Sequence, residues 1–297
     1  MTARADGRLA GLPTAASAGG TTVAGVIGRP IGHSLSPTLF NAAFAHLGLD
    51  WTFAAWDVAP GDGEAAVRAM TTLDIAGLSV TMPHKHDALR GCDELDARAA
   101  ALGAVNCVAA RAGVLRGFNT DGDGLVAALR AELGLTLRGL PTAVVGAGGA
   151  GRSAALALAE AGARVLVANR SAAAAQSAAQ VVGEWLSTAA GAGPGSCAVA
   201  DSAAEAVASS TLVVQATPLG MADDDPLPFD PALLTDSHVV VDLIYSPAET
   251  RLLAAAKSRG AATANGVGML LYQAAEQFRI WTGETAPVDV MRSAVGL

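Results

Sequence analysis

The chain is poor in lysine, in aromatic residues and in cysteine, and each shortage narrows what it can be. Of 19 Lys and Arg residues only two are lysines, Lys85 and Lys257, and no run of basic residues occurs. With a net charge of −8 there is no basic stripe for nucleic acid or for an anionic membrane surface, so neither partner is expected. The three cysteines, Cys92, Cys107 and Cys197, are far apart and form no C-x-x-C. That excludes a disulfide framework and a cysteine zinc site and fits a reducing, cytoplasmic compartment. Trp51, Trp56, Trp185 and Trp281 are scattered and read as packing residues, not as a stacking platform. No stretch approaches the ~18 apolar residues of a membrane span. Residues 1–22, rich in Ala, Gly, Thr and Ser, lack the apolar segment of a signal peptide and are expected to form a flexible tail.

What is abundant points to a packed α/β protein. Over 297 residues, 52% are apolar and only 15% charged, enough for about two domain cores at roughly 150 residues per domain. Short β-branched runs alternate with longer Ala- and Leu-rich amphipathic stretches, the pattern of βαβ units around parallel sheets. A first series places strands near Val23–Ile27, Thr52–Asp57, Ala76–Val80 and Val105–Ala109, with helices opening near Pro37 and Gly63. It closes near Gly122, where a helix crosses over. A second series places strands at Thr142–Val145, Arg164–Ala168, Thr211–Gln215 and Val239–Asp242, with helices from Gly149, Ser171 and Ala248. Gly191–Gly195 and Met221–Asp230 read as loops, the latter with Asp223, Asp224 and Asp225 solvated. Two final helical segments, Gly268–Thr282 and Val288–Val295, have no strand after them and are expected to pack back on the first unit. The units are therefore expected over 23–123 with 266–297, and over 124–265, in a monomer or a homodimer.

The second unit opens on a motif with chemical content. Thr142-Ala143-Val144-Val145 runs into Gly146-Ala147-Gly148-Gly149-Ala150-Gly151, a G-x-G-x-x-G between a strand and a helix. Glycines there allow a tight turn, close approach of backbone N–H groups to a pyrophosphate, and close helix–strand packing. The next strand ends in Asn169-Arg170-Ser171, where a carboxylate would hold an NAD ribose 2′-OH; Arg170 instead suits the 2′-phosphate of NADP. In the first unit, Ser34 and Ser36 stand before a helix that Pro37 favours. Ser36 reads as its N-cap, and Ser34 is free to bond a small anion. Lys85 follows Val80-Thr81-Met82-Pro83 at a strand's carboxyl end, the edge where open α/β sheets bind ligands. Asn106 and Asp121 lie in Gly-flanked turns; an Asp before a helix is by itself most often a cap. His84 and His86, at i, i+2 without further ligands, are not read as a metal site, so no metal is expected. Lys257 reads as a surface residue.

Taken in order, these segments resemble the shikimate dehydrogenase family over residues from about 23 to 285. The likeness is carried by Ser34-Leu35-Ser36-Pro37, Val80-Thr81-Met82-Pro83-His84-Lys85, Gly103-Ala104-Val105-Asn106, Asn119-Thr120-Asp121 and the glycine motif. Further on it is carried by Asn169-Arg170-Ser171, Ala216-Thr217-Pro218-Leu219-Gly220-Met221, Asp242 to Pro247 and Asn265 to Gln273. The resemblance implies an N-terminal α/β substrate domain beside a Rossmann-like, doubly wound parallel-sheet domain. It also implies reversible NADPH-linked reduction of 3-dehydroshikimate to shikimate, in the biosynthesis of aromatic compounds. By motif position Lys85 and Asp121 would be the catalytic pair, Ser34 and Ser36 would hold the substrate carboxylate, and Thr81, Asn106, Tyr245 and Gln273 would line the rest of the pocket. Gly146, Ala147, Gly148, Gly149 and Ala150 would cradle the pyrophosphate, and Asn169, Arg170 and Ser171 would face the 2′-phosphate. Thr217, Leu243 and Gly266 would lie along the cofactor.

The chain departs from the family pattern at four places. Ser79 stands where Asn usually precedes Val-Thr, Cys107 replaces a Thr, and Gln215 replaces an Asn. Ala172 to Ala175 follow Arg170 where NADP-preferring relatives often carry a second basic residue, so weaker discrimination against NAD is expected. The alternatives are a quinate/shikimate dehydrogenase of the same family and, from another class, a module that binds dinucleotide or a cyclohexene acid without turnover.

Overall fold

A computed structural model describes residues 20–188 and 195–296. Of the tail expected over residues 1–22 only the last three are among them, and of the Gly191–Gly195 loop only Gly195. The first part of the chain runs β1 (Thr22–Gly28), α1 (Ser36–Leu47), β2 (Trp51–Asp57), α2 (Gly63–Leu73), β3 (Ile75–Val80), α3 (Lys85–Gly91), β4 (Glu94–Leu95), α4 (Ala97–Leu102), β5 (Cys107–Arg111) and β6 (Val114–Phe118). These strands form one sheet in the order β2-β1-β3-β5-β6-β4. Its parallel part, β2-β1-β3, carries an extension in which β5 runs antiparallel to both β3 and β6. The β5–β6 hairpin turns on Ala112 and Gly113, both at positive φ, the geometry that matches the twist of paired strands.

That antiparallel extension positions the site. Because β5 is reversed, its first residues lie at the carboxyl end of β3, and the carboxyl end of β6 returns to the same place. Val80 N–H donates to Asn106 O at 2.8 Å, and Asn106 N–H donates to Phe118 O at 3.0 Å. The segments 81–85, 106 and 119–121 are thus gathered on one sheet edge although they are spread over 41 positions of sequence.

The rest of the chain runs α5 (Asp121–Leu133), β7 (Pro141–Val145), α6 (Gly149–Glu160), β8 (Arg164–Ala168), α7 (Ala172–Thr188), β9 (Ser196–Val199), α8 (Ala203–Ala208), β10 (Leu212–Gln215), β11 (Val239–Asp242), α9 (Arg251–Ser258), β12 (Ala262–Ala264), α10 (Val267–Thr282) and α11 (Val288–Ala294). Its sheet is parallel throughout, in the order β12-β11-β10-β7-β8-β9. This is the 3-2-1-4-5-6 order of dinucleotide-binding folds, with the topological switch between β7 and β10. The helix expected from Ala248 begins at Arg251, because Thr250 is its N-cap and accepts the Leu253 N–H.

The terminal helices return to the first sheet. α10 packs on α5, α1, β3 and β5, and α11 packs on α1. The apolar face of α10 joins Phe278 and Trp281 to Phe40, Phe44 and Phe53 in one buried aromatic cluster. The α5–α10 approach is close: a Cβ on Gly124 would lie 2.6 Å from the Gln273 backbone N, so only glycine lets the two helices come this near. Among the described residues no helix is long and apolar enough to cross a membrane.

Candidate functional site

Lys85 and Asp121 are the first residues of α3 and α5, each placed just past a strand end at the shared edge. Lys85 Nζ donates to Asp121 Oδ2 at 2.5 Å. The lysine side chain keeps 23% of its exposure and the aspartate 8%, so the carboxylate is the more enclosed partner of the pair. Asp121 does not act as a cap; Thr120 occupies that position, and the second carboxylate oxygen accepts from Asn106 Nδ2 at 2.7 Å. His84, buried ahead of Lys85, donates from Nε2 to Val58 O at 3.0 Å and so ties the start of α3 to the chain following β2.

Asn106 is the centre of the polar layer beneath this pair. Its Oδ1 accepts the Thr120 N–H at 2.8 Å, and its Nδ2 also approaches Thr120 Oγ1 at 3.1 Å and Gln273 Oε1 at 3.4 Å. Asn119 accepts the Ser153 hydroxyl at 3.0 Å and donates to Ala104 O, which links α6 to the same turn. Asn106, Gln273, Lys85 and Asp121 are therefore brought together. Ser34, Ser36, Thr81 and Tyr245 are joined to them by no hydrogen bond among the described residues.

The two serines need correction. Ser36 is not the N-cap of α1 but its first residue; Leu35 occupies the cap without a side-chain bond. The Ser34 hydroxyl, expected to have no structural task, accepts the Ser36 N–H at 3.3 Å. A short hydroxyl two residues ahead of a backbone N–H closes a local turn more readily than it caps the helix from inside. Both remain near the start of α1, Ser34 half-buried and Ser36 buried. Tyr245 lies past β11, half-buried, and burial raises the pKa of its phenol.

At the switch between β7 and β10 the glycine motif forms a cradle that fits a dinucleotide. Gly146 has φ +116°, a conformation that a side chain would strain, and a Cβ there would lie 2.9 Å from Ala216 O. The Ala147 N–H donates to Asn169 Oδ1 at 3.2 Å, tying the motif to the end of β8. Gly148 and Gly149 face open space, and the N-terminus of α6 has no side-chain cap. Its free N–H groups and positive dipole end suit a pyrophosphate. Arg170 is exposed beyond Asn169, while the Ser171 hydroxyl accepts the Ala174 N–H and so helps start α7. Thr217, Leu243 and Gly266 follow β10, β11 and β12; Leu243 N–H donates to Gln215 O, and Gly266 N–H to Ile244 O.

Two carboxylates behave unlike ordinary surface groups. Asp225, expected as solvated, accepts the N–H groups of Gly220 and Ala222 at 2.9 and 3.0 Å, which holds its pKa below the usual value. Asp242 is buried at the end of β11, and desolvation raises its pKa above the ordinary 3.8 despite bonds from Thr250 Oγ1 and the Ile244 N–H. The folded protein thus keeps the Asp242 proton to higher pH than the unfolded chain does. The stability linked to this group is full below the ordinary value and is lost as pH rises through the raised one. Asp242→Asn is expected to remove this dependence. Denaturant titrations at about pH 4 and about pH 7 should show the variant gaining on the native protein at the higher pH; an unchanged difference would contradict the assignment.

Several residues have structural roles that the sequence did not assign them. Gln215, fully buried, donates to Thr217 O and Leu219 O and accepts the Thr217 N–H, bracing the loop after β10. Gln277 lies one helical turn after Gln273 and joins the same polar layer. A polar residue at i+4 on a helix face otherwise buried among aromatics was the available signal. Ser79 is paired with it across the layer.

The chain is similar to known proteins over most of its length. Residues 26–108 match the model of the shikimate dehydrogenase substrate binding domain, and residues 266–295 that of the shikimate 5'-dehydrogenase C-terminal domain. A shikimate dehydrogenase (NADP(+)) of Methanopyrus kandleri is 44% identical over 281 residues, 93% of this chain and 95% of its own. The crystal structure of shikimate 5-dehydrogenase from Thermus thermophilus in complex with NADP(H) and shikimate has a TM-score of 0.81 at 35% identity, over 92% of this chain and 98% of that one. Quinate dehydrogenase from Corynebacterium glutamicum in complex with NAD has a TM-score of 0.81 at 32% identity, over 93% and 98%.

Proposed function

The chain belongs to the shikimate dehydrogenase family and is an NADP-dependent oxidoreductase, and we propose that Lys85 and Asp121 carry its proton transfer in the reversible reduction of 3-dehydroshikimate to shikimate. We take 23–123 with 266–297 as the substrate unit, 124–265 as the cofactor unit, and the protein as a cytoplasmic monomer or homodimer. The observation that carries the catalytic reading is the Lys85–Asp121 pair at the sheet edge, with its lysine partly exposed and its carboxylate enclosed.

Gly146 to Ala150 at the α6 N-terminus would hold the pyrophosphate of NADPH and Asn169, Arg170 and Ser171 its 2′-phosphate, and the bound nicotinamide would supply the hydride. As negative charge develops on the ring ketone oxygen, Lys85 Nζ gives it a proton, and the reverse reaction returns that proton to the amine. Asp121 orients the ammonium; Asn106 in turn fixes Asp121 through its second oxygen. Ser34 and Ser36 offer hydroxyl donors to the substrate carboxylate, and Thr81, Asn106, Tyr245 and Gln273 address the ring hydroxyls. Thr217, Leu243 and Gly266 border the cofactor. A binding module without turnover would not need the lysine and carboxylate at contact distance.

The test is an assay of the purified protein with shikimate and with quinate, each with NADP and with NAD. The expected result is the highest kcat/KM for shikimate with NADP; a preference for quinate would overturn the substrate assignment. A second reading, relaxed use of NAD, is favoured by Ala172 to Ala175, which leave Arg170 as the basic residue of that turn. Loss of a bond to a phosphate is worth about 1.5–3 kcal/mol, so Arg170→Ala is expected to raise KM for NADP by about ten- to a hundredfold. KM for NAD should hold, and parallel losses with both cofactors would contradict a 2′-phosphate role.

A further inference from the structure

Gln277 is 1% exposed on α10 and is hydrogen-bonded to neither Lys85 nor Asp121, yet its amide is bonded at both ends. Ser79 Oγ donates to Gln277 Oε1 at 2.5 Å. With its carbonyl so engaged, Gln277 turns its Nε2 to Gln273 Oε1 at 2.6 Å, and the same group approaches Asn106 O at 3.2 Å and Thr120 Oγ1 at 3.3 Å. Gln273 Oε1 also faces the Asn106 Nδ2 at 3.4 Å. The Gln277 N–H donor at 2.6 Å decides which way the Gln273 amide lies, because turning it over would set donor against donor in a buried layer.

The consequence reaches the substrate. With its oxygen committed, Gln273 can offer only Nε2 outward, one hydrogen of which is taken by Leu270 O at 3.0 Å. The other is an N–H donor, suited to the oxygen of a ring hydroxyl and unsuited to a second donor. Ser79 enters here as well: its side chain is 6% exposed and bonded to Gln277, so its part in recognition is indirect.

We propose that Gln277, held by Ser79, is a positioning residue that sets the orientation of the Gln273 amide and thereby the recognition of a substrate hydroxyl. This rests on the reading of Gln273 as a substrate residue. Nothing in the relay touches the cofactor cradle, so its effects are confined to the substrate side.

The experiment measures the Kd of shikimate by calorimetry, together with kcat, both KM values and Tm, for Gln277→Leu, Gln277→Glu, Ser79→Ala, Gln273→Ala and the double variant Gln273→Ala/Gln277→Leu. The expected result is a rise of about tenfold in Kd and KM for shikimate in Gln277→Leu, one unmade bond's worth of discrimination, with KM for NADP unchanged. Gln277→Glu, which presents an oxygen where Nε2 stood, should weaken shikimate binding at least as much. Ser79→Ala should give a smaller rise of about threefold while keeping Tm close to the native value, so the relay stays testable if the Gln277 variants fold poorly. The double variant should bind no more weakly than Gln273→Ala alone. A lowered Tm with unchanged shikimate Kd in Gln277→Leu, unchanged Kd in Ser79→Ala, or additive losses in the double variant would overturn the proposal. If Gln273→Ala itself leaves shikimate binding intact, the reading of Gln273 fails, and that result is distinct from a failure at Gln277 alone.

Discussion

Lys85→Met is expected to lower kcat by about 10²–10⁴-fold while leaving both KM values within a few fold. The lysine sits where a proton must be delivered as the ketone oxygen gains charge, and the bonds that hold substrate and cofactor are assigned to other residues. Lys85→Arg should fare little better. A guanidinium keeps the positive charge beside Asp121 but does not give up its proton near neutral pH. The comparison separates charge from proton transfer: if Arg restored more than about a tenth of the native rate, electrostatic stabilisation alone would explain the residue. Steady-state kinetics in both directions with saturating substrate, with Tm measured to confirm folding, decides the matter. Near-normal turnover in Lys85→Met would remove Lys85 from the mechanism.

The composition bears on this expectation. A chain with 17 Arg and two Lys uses arginine nearly wherever a cation is wanted. Lys257 forms an exposed pair with Glu249, a place where either cation would serve. Lys85 is different, since its partner is enclosed and the lysine itself is mostly buried.

The parts of the molecule legible in the sequence are those whose signal is local. Thr142–Val145 and the glycines after it announce a strand, a turn and a helix start within ten residues, and the structure has β7 and α6 there. The antiparallel return of β5 and β6 was not legible, because Arg111 to Val114 lack the Asn-Gly or Asp-Gly that marks such a hairpin and pairing direction is set by tertiary contacts. The same reversal brings Asn106 to the carboxyl end of β3, so the proximity of Asn106 to Asp121 could not be read from spacing. Ser79 stands out from sequence only as a departure from the family's usual Asn; that its hydroxyl meets Gln277, 198 positions away, is a contact no local pattern encodes.

Phe40→Ala is expected to give the largest loss of stability, about 3–5 kcal/mol, on the scale of buried aromatic truncations. Phe40 is fully buried, stacks on Phe53 with ring centroids 4.4 Å apart and planes 2° from parallel, and meets Trp281 at 5.0 Å. Phe44 and Phe278 pack around the same ring. The vacated space cannot collapse easily, since it is walled by a strand, by α1 and by α10 at once. Those two helices also bear on the substrate side: α1 begins at Ser36, and α10 carries Gln273 and Gln277. Loss of the shared aromatic wall should therefore raise KM for shikimate well before it disturbs KM for NADP, whose cradle stands on the other sheet. Denaturant unfolding followed by tryptophan fluorescence, with kinetics below the transition, measures both effects. Phe40→Leu, which refills most of the space, should recover the greater part of each. A stability change under about 1 kcal/mol in Phe40→Ala would mean that the cluster is not what holds α10 to the substrate unit.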